Sequence, residues 1–432
     1  MSKRQVINIG LLGLGTVGSG TLQIIQNNHD EIYKKTGTQI RITKALVREL
    51  SRARSVSHEG VELTTDPAAV LNDPDIDIIV EVMGGTTLAK DFITTALKNG
   101  KYVVTANKDL MAQHGVELLN IAKQCQRNIY YEASVGGGIP LIRPLKHCLA
   151  GNKIKSVMGI INGTTNYILT QMTNEAKDFA EALAEAQAKG FAEQDPSSDV
   201  EGKDAAFKLA ILASLAFNSK VNIADIYTES ITEISVRDIM YAEELGFVIK
   251  LLAIGEESNT GLSLRVHPTL VPKDHPLASV QNEFNALYVE GDAVGEVMFY
   301  GRGAGALPTG SAIVADIIEV VRNINHEIEN GIIETTFPEK PIVPMKDRIS
   351  RFYVRMKAKD EPGVFGSVAT AFGEEQISLD MILQNRRDYN VAEIVLVTHD
   401  VSEERFYRAL DKIEKLGSIR NLSNVMRVLE RG

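Results

Sequence analysis

The feature that most constrains this chain is a run of spaced glycines directly after an apolar stretch near its N-terminus. Val6–Leu12 reads as a strand, Gly13-Leu-Gly15-Thr-Val-Gly18 as the turn that ends it, and Thr21–Asn27 as a stretch of helical period. A preceding strand and a following helix are what give this glycine spacing its meaning. Gly13 permits the tight turn, Gly15 lets the backbone approach a ligand, and Gly18 lets helix and strand pack closely. The free N–H groups at the helix start, around Leu14, Thr16 and Val17, are then donors for a phosphate. The expected ligand is a dinucleotide.

The same alternation continues to about residue 130. Strand-like runs are expected at Ile40–Val47, Ile76–Val82, Tyr102–Thr105 and Ile129–Glu132, and helices at Asp66–Leu71, Leu88–Asn99 and Val116–Gln124. Strands alternating with helices imply a parallel sheet covered on both faces. At 432 residues the chain exceeds one core, so two or three domains are expected. Residues 133–330 read as a mixed α+β domain. A helix is expected after a capping box at Asp178 and Glu181, closed by Gly190, and a second from Ser198 to Phe217. Further strands are expected at Leu262–Thr269 and Ala286–Glu290. Three prolines between Phe337 and Pro344 mark a linker, placed at 331–349. Beyond it, 350–432 reads strand, helix, strand, strand, helix, strand: Arg351–Lys357, Val364–Glu374, Ile377–Leu383, Ala392–Thr398, Glu403–Leu416 and Ser423–Leu429. That pattern is a ferredoxin-like module. The expected fold class is α/β, with a Rossmann-type domain over 1–132 followed by these two.

A net charge of −10 argues against a nucleic-acid or anionic-membrane partner. No run reaches the roughly 18 apolar residues that a spanning helix needs. Cys125 and Cys148 are too few for a disulfide scaffold, and no targeting segment is evident, so a cytoplasmic location is expected.

The acidic residue that usually binds a ribose after the second strand is missing. The sequence there reads Val47-Arg48-Glu49-Leu-Ser51-Arg52-Ala-Arg54. Arg48, with Arg52 or Arg54, suits a 2′-phosphate and favours NADP. Glu49 could serve a ribose hydroxyl, which leaves NAD open. At the end of a later strand, Thr105-Ala-Asn-Lys108 delivers a lysine to the edge where α/β sheets bind ligands. A third cluster runs from Gly190 to Lys208 and carries Glu193, Asp195, Asp199 and Asp204. Asp204 and Lys208 are four apart and share a helix face, among the apolar neighbours Ala205, Ala206, Leu209 and Leu212. Buried charges are paired or working, and a lysine among carboxylates can be tuned to move a proton.

Together these pieces resemble homoserine dehydrogenase. The resemblance rests on Gly13–Gly18, Thr105–Lys108, Glu132-Ala-Ser-Val-Gly-Gly-Gly-Ile-Pro140, Asn162-Gly-Thr-Thr-Asn-Tyr167 and Gly190–Lys208, in family order over roughly residues 5 to 325. The last module, with Asp360-Glu-Pro-Gly-Val364, resembles an ACT domain. The resemblance implies reversible, nicotinamide-dependent interconversion of L-homoserine and L-aspartate 4-semialdehyde. It makes Lys208 the proton donor and acceptor, and Lys108 the group that holds and polarises the substrate oxygen. Glu193 and Asp204 would bind the amino acid, and Asp199 would orient the lysines. Gly190, Gly303 and Gly305 would lie against the cofactor, beside Thr105. A sodium ion would sit on the backbone carbonyls of Glu132, Val135, Gly137 and Ile139. The ACT-like module implies control by an end-product amino acid, most plausibly threonine, and assembly as a homodimer or homotetramer. Two rivals stay open: a dehydrogenase of another small amino aldehyde, and a non-catalytic, amino-acid-responsive NADP sensor.

Overall fold

The computed structural model describes residues 5–54, 56–326, 337–388 and 391–430. Two compact units emerge, one from Met1–Val157, Phe207–Ile223 and Asn285–Glu339, the other from Met158–Ala206, Ala224–Phe284 and Lys340–Gly432.

The first unit opens with β1 (Val6–Leu12), α1 (Thr16–Asn27), α2 (His29–Thr36), β2 (Gln39–Leu46), β3 (Glu62–Thr64), α3 (Ala68–Leu71), β4 (Ile78–Glu81), α4 (Thr87–Lys98), β5 (Tyr102–Thr105), α5 (Lys108–Gln124) and β6 (Ile129–Tyr130). The six strands pair in parallel in the order β3-β2-β1-β4-β5-β6. The order reverses between β1 and β4, which makes the carboxyl end of β1 the place where a ligand is expected. The apolar strand runs are buried on both sides, as a parallel sheet requires. β1 and β5 fall where the apolar runs put them. The expected strand Ile129–Glu132 stops at Tyr130, because Glu132 begins a 3₁₀ turn.

The chain continues through β7 (Ile154–Ile160), α6 (Gly163–Glu175), α7 (Phe179–Ala188), α8 (Ser197–Val200), α9 (Lys203–Ala216), β8 (Tyr227–Thr228), α10 (Val236–Glu244), β9 (Phe247–Ser258), β10 (Gly261–Pro272), β11 (Phe284–Gly291), β12 (Gly295–Arg302) and α11 (Ala306–Asn325). The capping box at Asp178 and Glu181 forms as expected. The single helix expected from Ser198 to Phe217 is two, α8 and α9. Gly202, at φ +78°, breaks it, and a side chain there would meet Val266. Although α11 lies far along the chain, it belongs to the first unit. Its Ile313, Ile317, Val320 and Val321 share one core with Ile7, Ile9 and Leu11 of β1. A β-carbon on Gly20 would come within 2.1 Å of the Ala306 carbonyl, so α1 and α11 touch backbone to backbone.

In the second unit, β9 and β10 form a long antiparallel hairpin. The chain then adds β13 (Ile349–Lys359), α12 (Val364–Glu374), β14 (Leu379–Asp388), β15 (Val391–Thr398), β16 (Val401–Ser402), α13 (Glu403–Glu414) and β17 (Ile419–Val428). This is the expected strand-helix-strand-strand-helix-strand module. Its strands stand in the order β17-β13-β15-β14, and β17 pairs with β10 to extend the hairpin sheet. Helices α12 and α13 cover one face around Phe352, Phe372 and Phe406. The rings of Phe352 and Phe406 stack at 3.6 Å. Of the expected 331–349 linker, residues 331–336 lie outside the described residues. Its proline stretch lies along β10, where Leu262 N–H donates to Pro341 O and Val343 N–H to Leu262 O, each at 2.8 Å. No helix among the described residues is long and apolar enough to cross a membrane.

Candidate active site

The glycine turn takes the conformation its spacing calls for. Gly13 lies at φ +105°, and a β-carbon there would sit 3.0 Å from the Val82 carbonyl oxygen. At Gly18 a β-carbon would approach the Gly13 carbonyl oxygen to 2.2 Å, whereas at Gly15 it would meet no protein atom within 4 Å. Gly15 is also the N-cap of α1, and no side chain caps that helix. The helix therefore presents unsatisfied N–H groups beside an open space, the local requirement for binding a phosphate. A cleft of about 890 Å³ opens there, with Leu14 and Gly15 in its lining. Arg48, Glu49, Arg52 and Arg54 line the same cleft. That volume lies within the range of small-molecule and cofactor sites.

At the end of β5, the Thr105 hydroxyl donates to Glu81 Oε2 at 2.7 Å and accepts from Asn107 N–H at 3.0 Å. Asn107 caps α5 by accepting from Leu110 N–H at 3.0 Å, and donates to Gly85 O at 2.7 Å. Lys108 is thereby fixed as the first residue of α5. Sequence reasoning missed Glu81. It is fully buried at the end of β4, where burial pushes its carboxyl above the usual range against the pull of Thr105. Its only signal was an acid at the end of an apolar run.

The Glu132–Ile139 loop is buried at Val135 and Ile139, and curls through positive φ at Gly136 and Gly137. The Glu132 side chain plays a structural part, since its carboxylate accepts from Leu141, Ile142 and Arg143 N–H at 2.5, 2.8 and 2.7 Å. Asp316 of α11 accepts from Glu132 N–H at 3.0 Å and from the Arg143 guanidinium at 2.6 Å. Burial, with Glu132 close by, raises the Asp316 carboxyl to about 7 although Arg143 pulls it down. A β-carbon on Gly137 would come within 2.5 Å of the Gly303 carbonyl oxygen, so this loop and the segment before α11 press together. Gly305, at φ +119°, is the N-cap of α11, again without a side-chain cap.

The carboxylate cluster belongs to the second unit. Asn162, the N-cap of α6, donates from its amide nitrogen to Asp199 Oδ1 at 2.6 Å and to Asp204 Oδ2 at 2.8 Å. Its amide oxygen accepts from Thr165 N–H at 2.8 Å, so the amide orientation is fixed. One buried asparagine thus draws two aspartates together, and Asp204 is only 6% exposed. Lys208 follows one turn later on α9 and is half-buried. Glu193, by contrast, has an exposed side chain in the loop after α7, where Gln187 holds its carbonyl at 3.0 Å. Gly190, at φ +77°, ends α7. Asn162 was legible as part of a motif but not as the bridge.

Known proteins resemble this chain along its whole length. A homoserine dehydrogenase from Synechocystis is 47% identical over 98% of this chain and 99% of its own. The chain belongs to the homoserine dehydrogenase family. The homoserine dehydrogenase from Bacillus subtilis is 43% identical over 99% of both chains. The crystal structure of a homoserine dehydrogenase from Thiobacillus denitrificans covers all of both chains at 40% identity, with a TM-score of 0.94. A hyperthermophilic archaeal homoserine dehydrogenase solved in complex with NADPH covers 73% of this chain at 27% identity, with a TM-score of 0.61. The homoserine dehydrogenase NAD-binding profile matches residues 13–132, starting on the first glycine of the turn. The homoserine dehydrogenase profile matches 140–318 and the ACT domain profile 352–418. As a homoserine dehydrogenase, the chain is a nicotinamide-dependent oxidoreductase with a C-terminal ACT domain.

Proposed function

We propose that the chain interconverts L-homoserine and L-aspartate 4-semialdehyde with NADP, using Lys208 for proton transfer and Lys108 to hold the reacting oxygen. The observation that carries this reading is the Asn162 bridge, which keeps Asp199 and Asp204 together one turn before Lys208. The ammonium group of an amino acid is a cation that carboxylates recognise through charge-assisted hydrogen bonds. Asp204 binds that ammonium with Glu193, whose side chain is free to turn inward when substrate arrives. Asp199 orients the lysines. When bound, the nicotinamide donates or accepts a hydride at C4. Lys208 supplies a proton to the oxygen as the aldehyde is reduced and takes it back in the oxidation. Lys108, held at the start of α5 by Asn107, stabilises negative charge on that oxygen.

The 890 Å³ cleft and the uncapped start of α1 suit a dinucleotide pyrophosphate, which Leu14, Thr16 and Val17 would meet with backbone N–H groups. Thr105, Gly190, Gly303 and Gly305 would lie along the rest of the cofactor. Arg48 in the cleft favours a 2′-phosphate, hence NADP over NAD. The curled, buried backbone of Glu132, Val135, Gly137 and Ile139 suits a sodium ion held by carbonyls. Replacing sodium by choline in a thermal melt tests this, and an unchanged melt counts against the ion. Threonine at the Asp360–Val364 turn is the proposed effector, and Gly363 there has φ +87°. Pairing of ACT modules makes a homodimer or homotetramer the proposed assembly. The free thiols Cys125 and Cys148 accord with a reducing cytoplasm.

The test is an assay of folded protein with L-homoserine and NADP⁺ at alkaline pH, following the reduced-nicotinamide absorbance. Homoserine-dependent reduction is expected, and its absence sinks the reaction. Lys208→Ala should lower kcat by about 10²–10⁴-fold while NADPH binding stays near wild type. A variant with wild-type kcat removes the role given to Lys208.

A further inference from the structure

Two of the described lysines are almost fully buried, and they differ in what surrounds them. Lys101 and Lys250 are each 4% exposed. Lys101 precedes β5, at the end of the sheet away from the cofactor cleft, and donates to the carbonyls of Asp73 and Ile76. Burial pulls its amine down, while Asp73, Asp77 and Asp75 pull it back up. Lys250 lies in β9, and burial alone brings its amine down to about 8. Among the described residues no carboxylate is bonded to it. A buried charge without a counter-ion costs stability, so a lysine there calls for another reason.

Its bonds supply that reason. Nζ of Lys250 donates to Val280 O at 2.5 Å and to Asn166 Oδ1 at 3.1 Å. Asn166 lies in α6, and its Nδ2 donates to the carbonyls of Val280, Asn282 and Phe284 at 3.3, 2.9 and 3.1 Å. The chain turns there through φ +55° at Asn282, outside any strand ladder, so its carbonyls depend on side chains for donors. Three carbonyls thus share one amide nitrogen, which carries two hydrogens. The longest of the three bonds is the one to Val280, and that is the carbonyl Lys250 meets at 2.5 Å. Thr170, one turn further along α6, accepts from Asn282 N–H at 3.0 Å.

The Asn166 amide has one workable orientation. Turned over, it would set Oδ1 against carbonyls, so Oδ1 faces the only donor offered, Lys250. A side chain of the same length without the amine would leave both Oδ1 and the Val280 carbonyl short of a donor. Asn166 is one turn from Asn162, whose carbonyl accepts from Asn166 N–H at 3.3 Å. Asn162 in turn bridges Asp199 and Asp204. Lys250, residues 280–284, α6 and both aspartates all belong to the second unit.

We propose that Lys250 is a positioning residue for the substrate site. It fixes Asn166 and residues 280–284, and through them the start of α6, where Asn162 holds Asp199 and Asp204. This role rests on those aspartates being the seat of the substrate ammonium. Lys250 itself touches no substrate. Its loss leaves both carboxylates in place but lets them stand less exactly, and small displacements of binding groups are costly. Binding of L-homoserine therefore suffers more than the chemical step.

The test is steady-state kinetics of the full chain with L-homoserine and NADP⁺, on Lys250→Met with Lys101→Met as the reference. Lys250→Met should raise KM for L-homoserine about tenfold, keep kcat within about threefold and leave NADPH affinity at wild type. Lys101→Met should lower the melting temperature and leave that KM unchanged. Hydrogen exchange without substrate gives a second readout. Backbone amides of residues 163–170 should exchange faster in Lys250→Met and at the wild-type rate in Lys101→Met. Should Lys250→Met fail to fold, Thr170→Val loosens the same segment at Asn282 and should raise KM about two- to threefold. Asp204→Asn in the same assay separates the two readings. Unchanged KM in Asp204→Asn sinks the substrate site on which this role rests. Raised KM there, with KM unchanged in Lys250→Met or its substitute Thr170→Val, sinks the positioning role alone. An equal rise of KM in Lys101→Met, or unaltered exchange in α6, would also overturn it.

Discussion

The region proposed for the cofactor and the region proposed for the substrate recognise their ligands by different means. The first is made of backbone: glycines at 13, 15 and 18, a helix start without a side-chain cap, and a cleft beside it. The second is made of side chains, with two aspartates held by one asparagine and a lysine a turn away. Phosphates are met by N–H groups that every residue carries, so what matters is the absence of a side chain. An amino acid needs a charge at a stated point, so there the side chain is the device.

Asp204 should show the larger sensitivity. Asp204→Asn keeps the shape but removes the charge, and should lower kcat/KM for L-homoserine by about a hundredfold, about 3 kcal/mol, through KM more than kcat. Asn162→Ala, which removes the bond that each aspartate accepts from the amide, should reproduce part of that loss. Steady-state kinetics with NADPH affinity as a control measures both. Unchanged KM in Asp204→Asn would break the comparison, because the carboxylates would then be scaffold.

The glycines sharpen it from the other side. Gly18→Ala places a β-carbon against the Gly13 carbonyl, and should cost about 1–3 kcal/mol of stability as well as cofactor affinity. Gly15→Ala meets no protein atom, so its melting temperature should stay at wild type while NADPH binding weakens. Equal destabilisation by both substitutions would mean that the turn is only a packing feature. Arg48→Ala should move the ratio of NADP to NAD efficiency about tenfold toward NAD, a smaller effect because Arg52 and Arg54 line the same cleft. An unchanged ratio would remove Arg48 from coenzyme choice.

The same division explains what could be read from the residues alone. The glycine turn was legible because its constraint resides in residue type, and Val6–Leu12 and Tyr102–Thr105 because apolar runs between turns are strands. Helix α2 was not: half of His29–Thr36 is charged and it buries only Ile32 and Thr36, so it carries little hydrophobic period. Strand β9 was missed because Phe247–Ile254 is a continuous apolar run holding a buried Lys250, which period alone cannot assign. The Asn162 bridge joins residues 37 and 42 apart in sequence, a distance over which no local pattern reaches. Glu132 was legible only as a backbone ligand, yet its side chain caps the turn at Leu141–Arg143.

Asp316 is, with Glu81 and Glu132, one of the carboxylates that the first unit does bury, and it therefore tests the division itself. Its carboxyl is raised to about 7 from the ordinary 3.8, mainly by burial. A carboxyl raised in the folded state contributes stability that is full below about pH 4 and is lost as the pH climbs through 7. Wild type should therefore lose stability over that window relative to Asp316→Asn, with a slope of at most about 1.4 kcal/mol per pH unit. Near pH 7 the two should differ little, because Arg143 keeps its bond to Glu319 at 3.0 Å when Asp316 is neutralised. Urea denaturation at half-unit steps from pH 4 to 8 measures the difference. Parallel stability curves would show that Asp316 stays ionised throughout. In that case its bonds to Arg143 and Glu132 outweigh its burial, and a charged carboxylate beside the Glu132 loop would be part of the field felt by any cation bound there.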